Sequence, residues 1–286
     1  MSSSKPLKNF SKKMTDEEKE QGHKRRTADS FGENADSYFE SPAHSSGDDL
    51  ELLRDWVSET NPDRVLDIAT GAGHTAGKVN EGTGNDALVC ATDISPEMVR
   101  TAVSGYGVEG IVADAEELPF AASSFDAVTC RIAAHHFPNP RAFLGEVRRV
   151  LTPDGVFGFE DNVAPDDEEL DEYLNEVERL RDPMHVRSYT VGEWKKWFED
   201  AGFEVRESRV LKKRLDYDTW IDSLDTSKEN RERVESMLSE LPVENPERAR
   251  ELFEITYNDG GVESFSNLKL LVRASSVPQK KRGTTN

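Results

Sequence analysis

The stretch Arg64-Val-Leu-Asp-Ile-Ala-Thr-Gly-Ala-Gly-His-Thr-Ala76 decides how the rest of the chain is read. Val65, Leu66 and Ile68 form the short apolar run of a buried parallel strand. Gly71 and Gly73 then allow a tight turn and a close approach of backbone to ligand. A helix starting there aims unpaired N–H groups and its positive dipole end at that ligand.

Two cofactor classes use such a turn. Gly71-x-Gly73-x-x-Ala76 satisfies the dinucleotide pattern G-x-G-x-x-G/A, which keeps a nicotinamide-dependent oxidoreductase open. Asp67 argues against it, because a carboxylate beside a pyrophosphate sets like charges together. An acid there suits a cationic ligand such as S-adenosylmethionine, with its ammonium and sulfonium groups. The alternative is that Asp67 only caps the turn by accepting from loop N–H groups.

Working outward, acids recur at strand ends. Ala87–Asp93 reads as a second strand and Gly110–Asp114 as a third. Ser95-Pro96-Glu97 starts a helix with a cap, a proline at the first position and an acid in the first turn. Ser124–Cys130 is the fourth strand, Pro140–Leu151 a helix, Pro153-Asp154-Gly155 a turn, and Val156–Phe159 the fifth strand. Strands alternating with helices give an α/β, doubly wound, Rossmann-like sheet, whose ligands bind beyond the carboxyl ends of the strands. Asp67, Asp93 and Asp114 all fall near that edge.

Asp166–Arg181 reads as an acidic helix, and Val191–Ala201 as a helix whose Trp194, Trp197 and Phe198 face the core. Phe203–Val210 is a sixth strand and Leu268–Val272 the last, with no second independent core in the pattern. Residues 1–28 lack apolar periodicity and are expected to be a disordered tail, with Lys24-Arg25-Arg26 solvated and contact with an anion as the alternative. Residues 29–274 are expected to form one domain and 275–286 a second flexible tail. The segments 29–46 and 216–257 are candidate helical lids.

The chain has 286 residues and a net charge of −20, from 56 acids against 36 Lys and Arg. Such a surface repels phosphates, so no nucleic-acid partner is expected. No apolar run is long enough for a membrane span, and the N-terminus lacks an apolar signal core. Cys90 and Cys130 lie in apolar runs and read as core residues of a cytoplasmic protein. The acidity is that of a salt-adapted, halophilic surface. Its melting temperature should therefore rise from low to molar potassium chloride, as the Debye length falls from about 30 Å at 0.01 M to about 3 Å at 1 M. A melting curve indifferent to chloride leaves an ordinary acidic protein.

Five stretches together carry a resemblance. They are Val65–Gly73, Ala91–Met98, Asp114–Phe120, Ser124–Val128 and Arg149–Gly155. In this order they resemble the class I S-adenosylmethionine-dependent methyltransferases, with the quinone-methylating branch as a broad relative. Cys130–Phe137 with Leu180–Arg187 is similar to an uncharacterised bacterial subgroup. The resemblance implies a seven-stranded, mostly parallel sheet with its last strand antiparallel. It implies that Asp67 and the loop residues Ala69, Thr70, Gly71 and Gly73 face the methionine part of the cofactor. Asp93 would take both ribose hydroxyls, Ile94 and Met98 would line the adenine, and Asp114 beside Ala115 would bind the adenine amino group. Arg131 would lie near the methionine end. Ala69 stands where the family commonly has its first loop glycine, although quinone-methylating relatives also carry alanine there.

Methyl transfer from a sulfonium requires alignment and exclusion of water, and a base only where the nucleophile must lose a proton. His135 and His136 follow the fourth strand and are the candidate catalytic residues, with one packing structurally and the other facing solvent as the alternative. No carboxylate at metal-ligand spacing accompanies them, so no metal is expected. Tyr38, His44, His185 and Arg187 are candidate contacts to a small-molecule substrate, the last two through an anionic group. The expected activity is methyl transfer to a small molecule; a non-catalytic cofactor-binding protein remains the alternative within the same resemblance.

Overall fold

The structure, a computed structural model, describes residues 15–40, 45–84 and 86–277. Strand β1 (Arg64–Ile68) is buried at every position after Arg64. Its apolar run, broken only by the buried Asp67, fits a strand covered on both faces. It pairs in parallel with β2 (Leu88–Asp93) on one side and β4 (Phe125–Arg131) on the other. β3 (Glu109–Val112) extends the sheet beyond β2, and β5 (Leu151–Ala164) beyond β4, both in parallel. The final strand β9 (Gly261–Ser276) lies between β5 and β7 (Phe203–Asp216) and runs antiparallel to both. The order β3-β2-β1-β4-β5-β9-β7 is the seven-stranded sheet expected. Two short strands, β6 (Tyr189–Thr190) and β8 (Thr256–Asn258), pair with β5 and β9.

Helices cover both faces. Phe143, Leu144 and Val147 of α6 (Pro140–Val150) and Trp194 and Phe198 of α8 (Val191–Asp200) pack on Phe157 and Phe159. On the other face α3 (Asp48–Ser58), α4 (His74–Gly82) and α5 (Pro96–Tyr106) bury Trp56, Val57, Ala76, Val79 and Ala102. Local chemistry sets the boundaries. Ser95 accepts from the Met98 N–H and Pro96 follows it, while Gly107 ends α5 at φ +66°. Both cysteines are buried thiols. No helix among the described residues is long and apolar enough to cross a membrane.

Three expectations are corrected. Residues 16–28 are not a tail: they belong to α1 (Asp16–Glu33), which is followed by α2 (Ala35–Glu40). Thr15 and Glu18 form a capping box, and Asp16, Glu17 and Glu18 complement the helix dipole. The buried residues of α1 are Lys24 and Thr27, so its packing is polar and left no apolar period to read. Residues 1–14 of that tail lie outside the described residues, as do 278–286 of the second one; residues 275 and 276 belong to β9. The turn at 153–155 is absorbed into β5 as an irregularity, with Asp154 at φ +67° and a register shift on β4 between Phe125 and Ala127. A further apolar cluster joins the helical insertion to the sheet through Ala164 and Phe265. Helix α7 (Glu168–Arg181) packs Tyr173, Leu174 and Val177 against α9 (Tyr217–Asp222), α10 (Lys228–Glu240) and α11 (Pro246–Phe253), with Trp220, Val234, Phe253 and Phe265 at its centre.

Candidate active site

A cavity of about 620 Å³ opens at the carboxyl ends of β1, β2, β4 and β5. Helices α1 and α2 line it through Lys24, Phe31 and Tyr38, and the 216–257 insertion through Asp216, Thr219 and Trp220. Ala69, Thr70 and Gly71 form its wall beneath β1. Ala69 sits at φ +51° and Gly71 at φ +54°. A Cβ on Gly71 would meet nothing within 4 Å, so the backbone here faces open cavity.

Asp93 closes β2 on the cavity wall. Its Oδ2 accepts from the Gly71 N–H at 2.9 Å and its Oδ1 from the Ser95 N–H at 2.9 Å. One carboxylate thus holds the glycine loop and the start of α5 together, and each oxygen keeps a lone pair for a ligand. Burial pushes its pKa up to about 6, against the pull of these N–H donors. Ile94, Met98, Asp114 and Ala115 continue the same wall.

Asp67 does not face the cavity. It is 1 % exposed, and its oxygens accept from the Thr70 and Thr129 hydroxyls, both at 2.6 Å. Burial pushes it up to about 6. Its place is behind the loop, where it fixes the turn, which is the capping alternative in a buried form. Gly73 is also off the wall: it caps α4 at φ +94°, and a Cβ there would lie 2.7 Å from Ala102. This glycine serves helix packing, not ligand approach.

Arg131 lines the cavity but is held by two acids, with Nη2 2.7 Å from Asp49 and Nε 2.8 Å from Glu160. His135 follows on a short 3₁₀ turn, Ala134–His136. Its Nδ1 donates to Asp161 Oδ1 at 2.6 Å, and the Asn162 N–H donates to the same oxygen at 2.9 Å. Burial opposes the charged imidazole, yet the Asp161 carboxylate outweighs it and raises the pKa of His135. His136 behaves oppositely. Its Nδ1 donates to the Met184 carbonyl at 3.0 Å, and burial together with the nearby His135 lowers it to about 4. The two rings lie 4.1 Å apart and the His185 ring lies 5.6 Å from His135. His185, strongly lowered by burial, meets Asn175 Oδ1 through Nε2 at 2.9 Å. Of the three imidazoles only His135 has an environment that favours holding a proton.

Among the remaining candidates, Tyr38 and His185 line the cavity. Arg187 does not: its guanidinium pairs with Asp171 at 2.6 Å and lies over the Tyr189 ring, so it is not a substrate contact. His44 lies outside the described residues. Sequence reasoning missed Asp161 and Asn162, although the rule that flagged Asp93 also applies at the end of β5. It also missed Lys24. Its Nζ lies 2.9 Å from Asp114, 2.6 Å from Glu116 and 3.0 Å from Glu20, while Arg25 and Arg26 stay exposed. Replacing Lys24 by Met leaves Glu116 buried without its cation. This should cost roughly 1–3 kcal/mol in denaturant unfolding. A Lys24→Met protein as stable as wild type would make α1 an incidental cover.

A parallel sheet with a glycine turn after its first strand and an acid closing its second defines a nucleoside-cofactor protein of the Rossmann-like class. The chain belongs, within that class, to the class I S-adenosylmethionine-dependent methyltransferases, and S-adenosylmethionine is its cofactor. The methyltransferase domain family matches residues 66–159. An uncharacterized methyltransferase of Bacillus subtilis, YcgJ, is 36 % identical over 81 % of this chain and 91 % of its own length. A putative methyltransferase from Bacillus halodurans superposes with a TM-score of 0.74 at 33 % identity, covering 81 % of this chain and 100 % of that one. A demethylmenaquinone methyltransferase of Thermus thermophilus is 38 % identical over 39 % of this chain and 54 % of its own length. The family sets aside the oxidoreductase that the glycine pattern left open. The residues present fit the cofactor: the space over Gly71 is open, and Asp93 and Asp114 are acceptors spaced along the wall.

Proposed function

We propose that the protein methylates a small-molecule acceptor and that His135, oriented by Asp161, is the base. The observation that carries this is His135, on the wall of the same cavity as the glycine loop and Asp93 and 2.6 Å from the fully buried Asp161. The size of that cavity and its cover from α1, α2 and α9 support a small acceptor over a polymer. The acidic surface disfavours nucleic acid.

The bound cofactor supplies an electrophilic methyl group on a sulfonium. On this reading Asp93 and Asp114 orient the adenosine and the 69–71 backbone positions the amino-acid end. Asp161 holds His135 with Nδ1 as donor, leaving Nε2 to take the proton that the acceptor loses as its electron pair forms the new bond to carbon. The histidine then carries positive charge beside Asp161, which stabilises it. Tyr38 and the insertion exclude water.

Calorimetric titration with S-adenosylmethionine and with NAD, followed by assay of S-adenosylhomocysteine release from a fractionated metabolite extract, tests the reading. The expected result is binding of the first ligand alone and release with a small-molecule fraction. Release only with protein or nucleic-acid fractions overturns the acceptor assignment.

A further inference from the structure

The cavity changes character along its length. At the adenosine end its charged wall residues include Asp93, Asp114 and Glu116, with Lys24 between the last two. At the far end β5, β9 and β7 bring a different set together. Register places Asn162 opposite Lys269 and Asn267 opposite Lys213. Residues directly opposite share a face, as do positions 267 and 269 on one strand, so all four project to the same side. Arg131 joins them from β4, opposite Glu160. All five line the cavity.

The acids that balance Lys269 and Arg131 lie deeper, Glu160 on the same face of the sheet. Glu160, fully buried, lies 3.3 Å from Lys269 Nζ and 2.8 Å from Arg131 Nε, and Asp49 pairs with Arg131; neither acid lines the cavity. The acids paired with Lys269 and Arg131 thus stay off the wall, although Glu178, beside Asn267, and Asp216 do line it. Burial, and then the charge of Lys269, lowers the pKa of Lys213, as expected of cations crowded on one face. Two acceptors stand beside them. The Oδ1 atoms of Asn162 and of Asn267, which is 5 % exposed, are buried without a hydrogen-bond partner among the described residues, while Asn267 Nδ2 donates to Glu178. In a chain of net charge −20, three cations turned into a cavity are against the composition.

We infer that the methyl acceptor carries an anionic group, a carboxylate or a phosphate, which docks on Lys213, Lys269 and Arg131, with an adjacent hydroxyl or amine donating to Asn162 and Asn267. This rests on the methyltransferase reading and names its substrate class. An anion between the cations relieves their mutual repulsion and gains charge-assisted hydrogen bonds, while an adjacent donor satisfies the two orphaned carbonyl oxygens. The anion pole thus lies on β7 and β9, not at Arg187, whose guanidinium is turned to Asp171.

The cofactor's own carboxylate is the other possible anion, so the test is made with that site filled. Full-length protein saturated with S-adenosylhomocysteine is titrated with malonate and with inorganic phosphate at fixed ionic strength. Binding of either anion to the loaded wild type is expected. Lys213→Met should weaken it roughly tenfold or more, Lys213→Arg should restore it, and affinity for S-adenosylhomocysteine should be the same in all three. Absence of anion binding to the loaded protein overturns the inference, as does equal binding by Lys213→Met. Binding to the unloaded protein that disappears on loading also overturns it, assigning the cations to the cofactor's carboxylate. Failure of wild type to bind S-adenosylhomocysteine at all is a separate result, read before any anion is added, and it overturns the methyltransferase reading instead.

Discussion

Asp93→Ala should lower affinity for S-adenosylmethionine about 10- to 150-fold, corresponding to roughly 1.5–3 kcal/mol for hydrogen bonds to a charged acceptor. The loss has two sources. The ribose hydroxyls lose their acceptor, and the Gly71 and Ser95 N–H groups lose theirs, so the loop is no longer held in its binding shape. Asp93→Asn keeps one acceptor oxygen and should fall between. Calorimetry measures the affinities, and a melting curve checks that each variant is folded. A folded Asp93→Ala protein that binds like wild type would take Asp93 out of the site. A pH dependence accompanies the mutation. Asp93 titrates near 6 in the folded protein against an ordinary 3.8, so the folded state holds a proton that the unfolded chain has released. Its contribution to stability falls as pH rises from about 4 to 6. Cofactor affinity moves the other way, rising through that window as the two-hydroxyl acceptor becomes charged; in Asp93→Asn this rise should be lost.

Asp161→Asn should reduce turnover roughly 10²-fold or more while leaving cofactor binding intact. The amide preserves shape but cannot stabilise a charged imidazole. Burial, then opposed only by the charges of Glu178 and Asp182, should bring the pKa of His135 down. Nitrogen NMR of the imidazole reads this directly, without a known acceptor, and the pH profile of S-adenosylhomocysteine release reads it again. A raised folded pKa stabilises the protein fully below 6.5 and loses that contribution as pH rises through the raised value. Asp161→Asn should accordingly be most destabilised at acidic pH. An unshifted His135 titration with undiminished turnover would reduce the pair to a packing contact.

The parts of this architecture that were legible in the sequence are those set by local rules. β1, its glycine turn, the capped start of α5 and the acids closing β1 to β3 follow from apolar runs and turn chemistry within a few residues. The remainder depends on partners far along the chain. Lys24 looked solvated because Glu116, which draws it inward, is 92 positions away. Asp67 had the right residue type in the right motif, yet the Thr129 hydroxyl, supplied by β4, turned it from the ligand. Arg187 was read as a donor to substrate, and Asp171 on α7 claims it. The face shared by Asn162, Lys269, Asn267 and Lys213 could not be read at all, since it exists only through the register of three strands.

The position of β9 has a consequence for how the molecule is made. Among the described strands it is the last to leave the ribosome, yet it lies inside the sheet. β1 to β5 can pair with one another as they emerge. β7 cannot: its partner in the sheet has yet to be synthesised, so its backbone groups stay unpaired meanwhile. Insertion of β9 joins segments distant in sequence, a slow kind of closure that leaves strand edges open to misassociation meanwhile. The half that carries the glycine loop and Asp93 can therefore form first. Lys269 and Asn267 arrive with the closing strand, so the proposed acceptor pole is the last part of the cavity that biosynthesis completes.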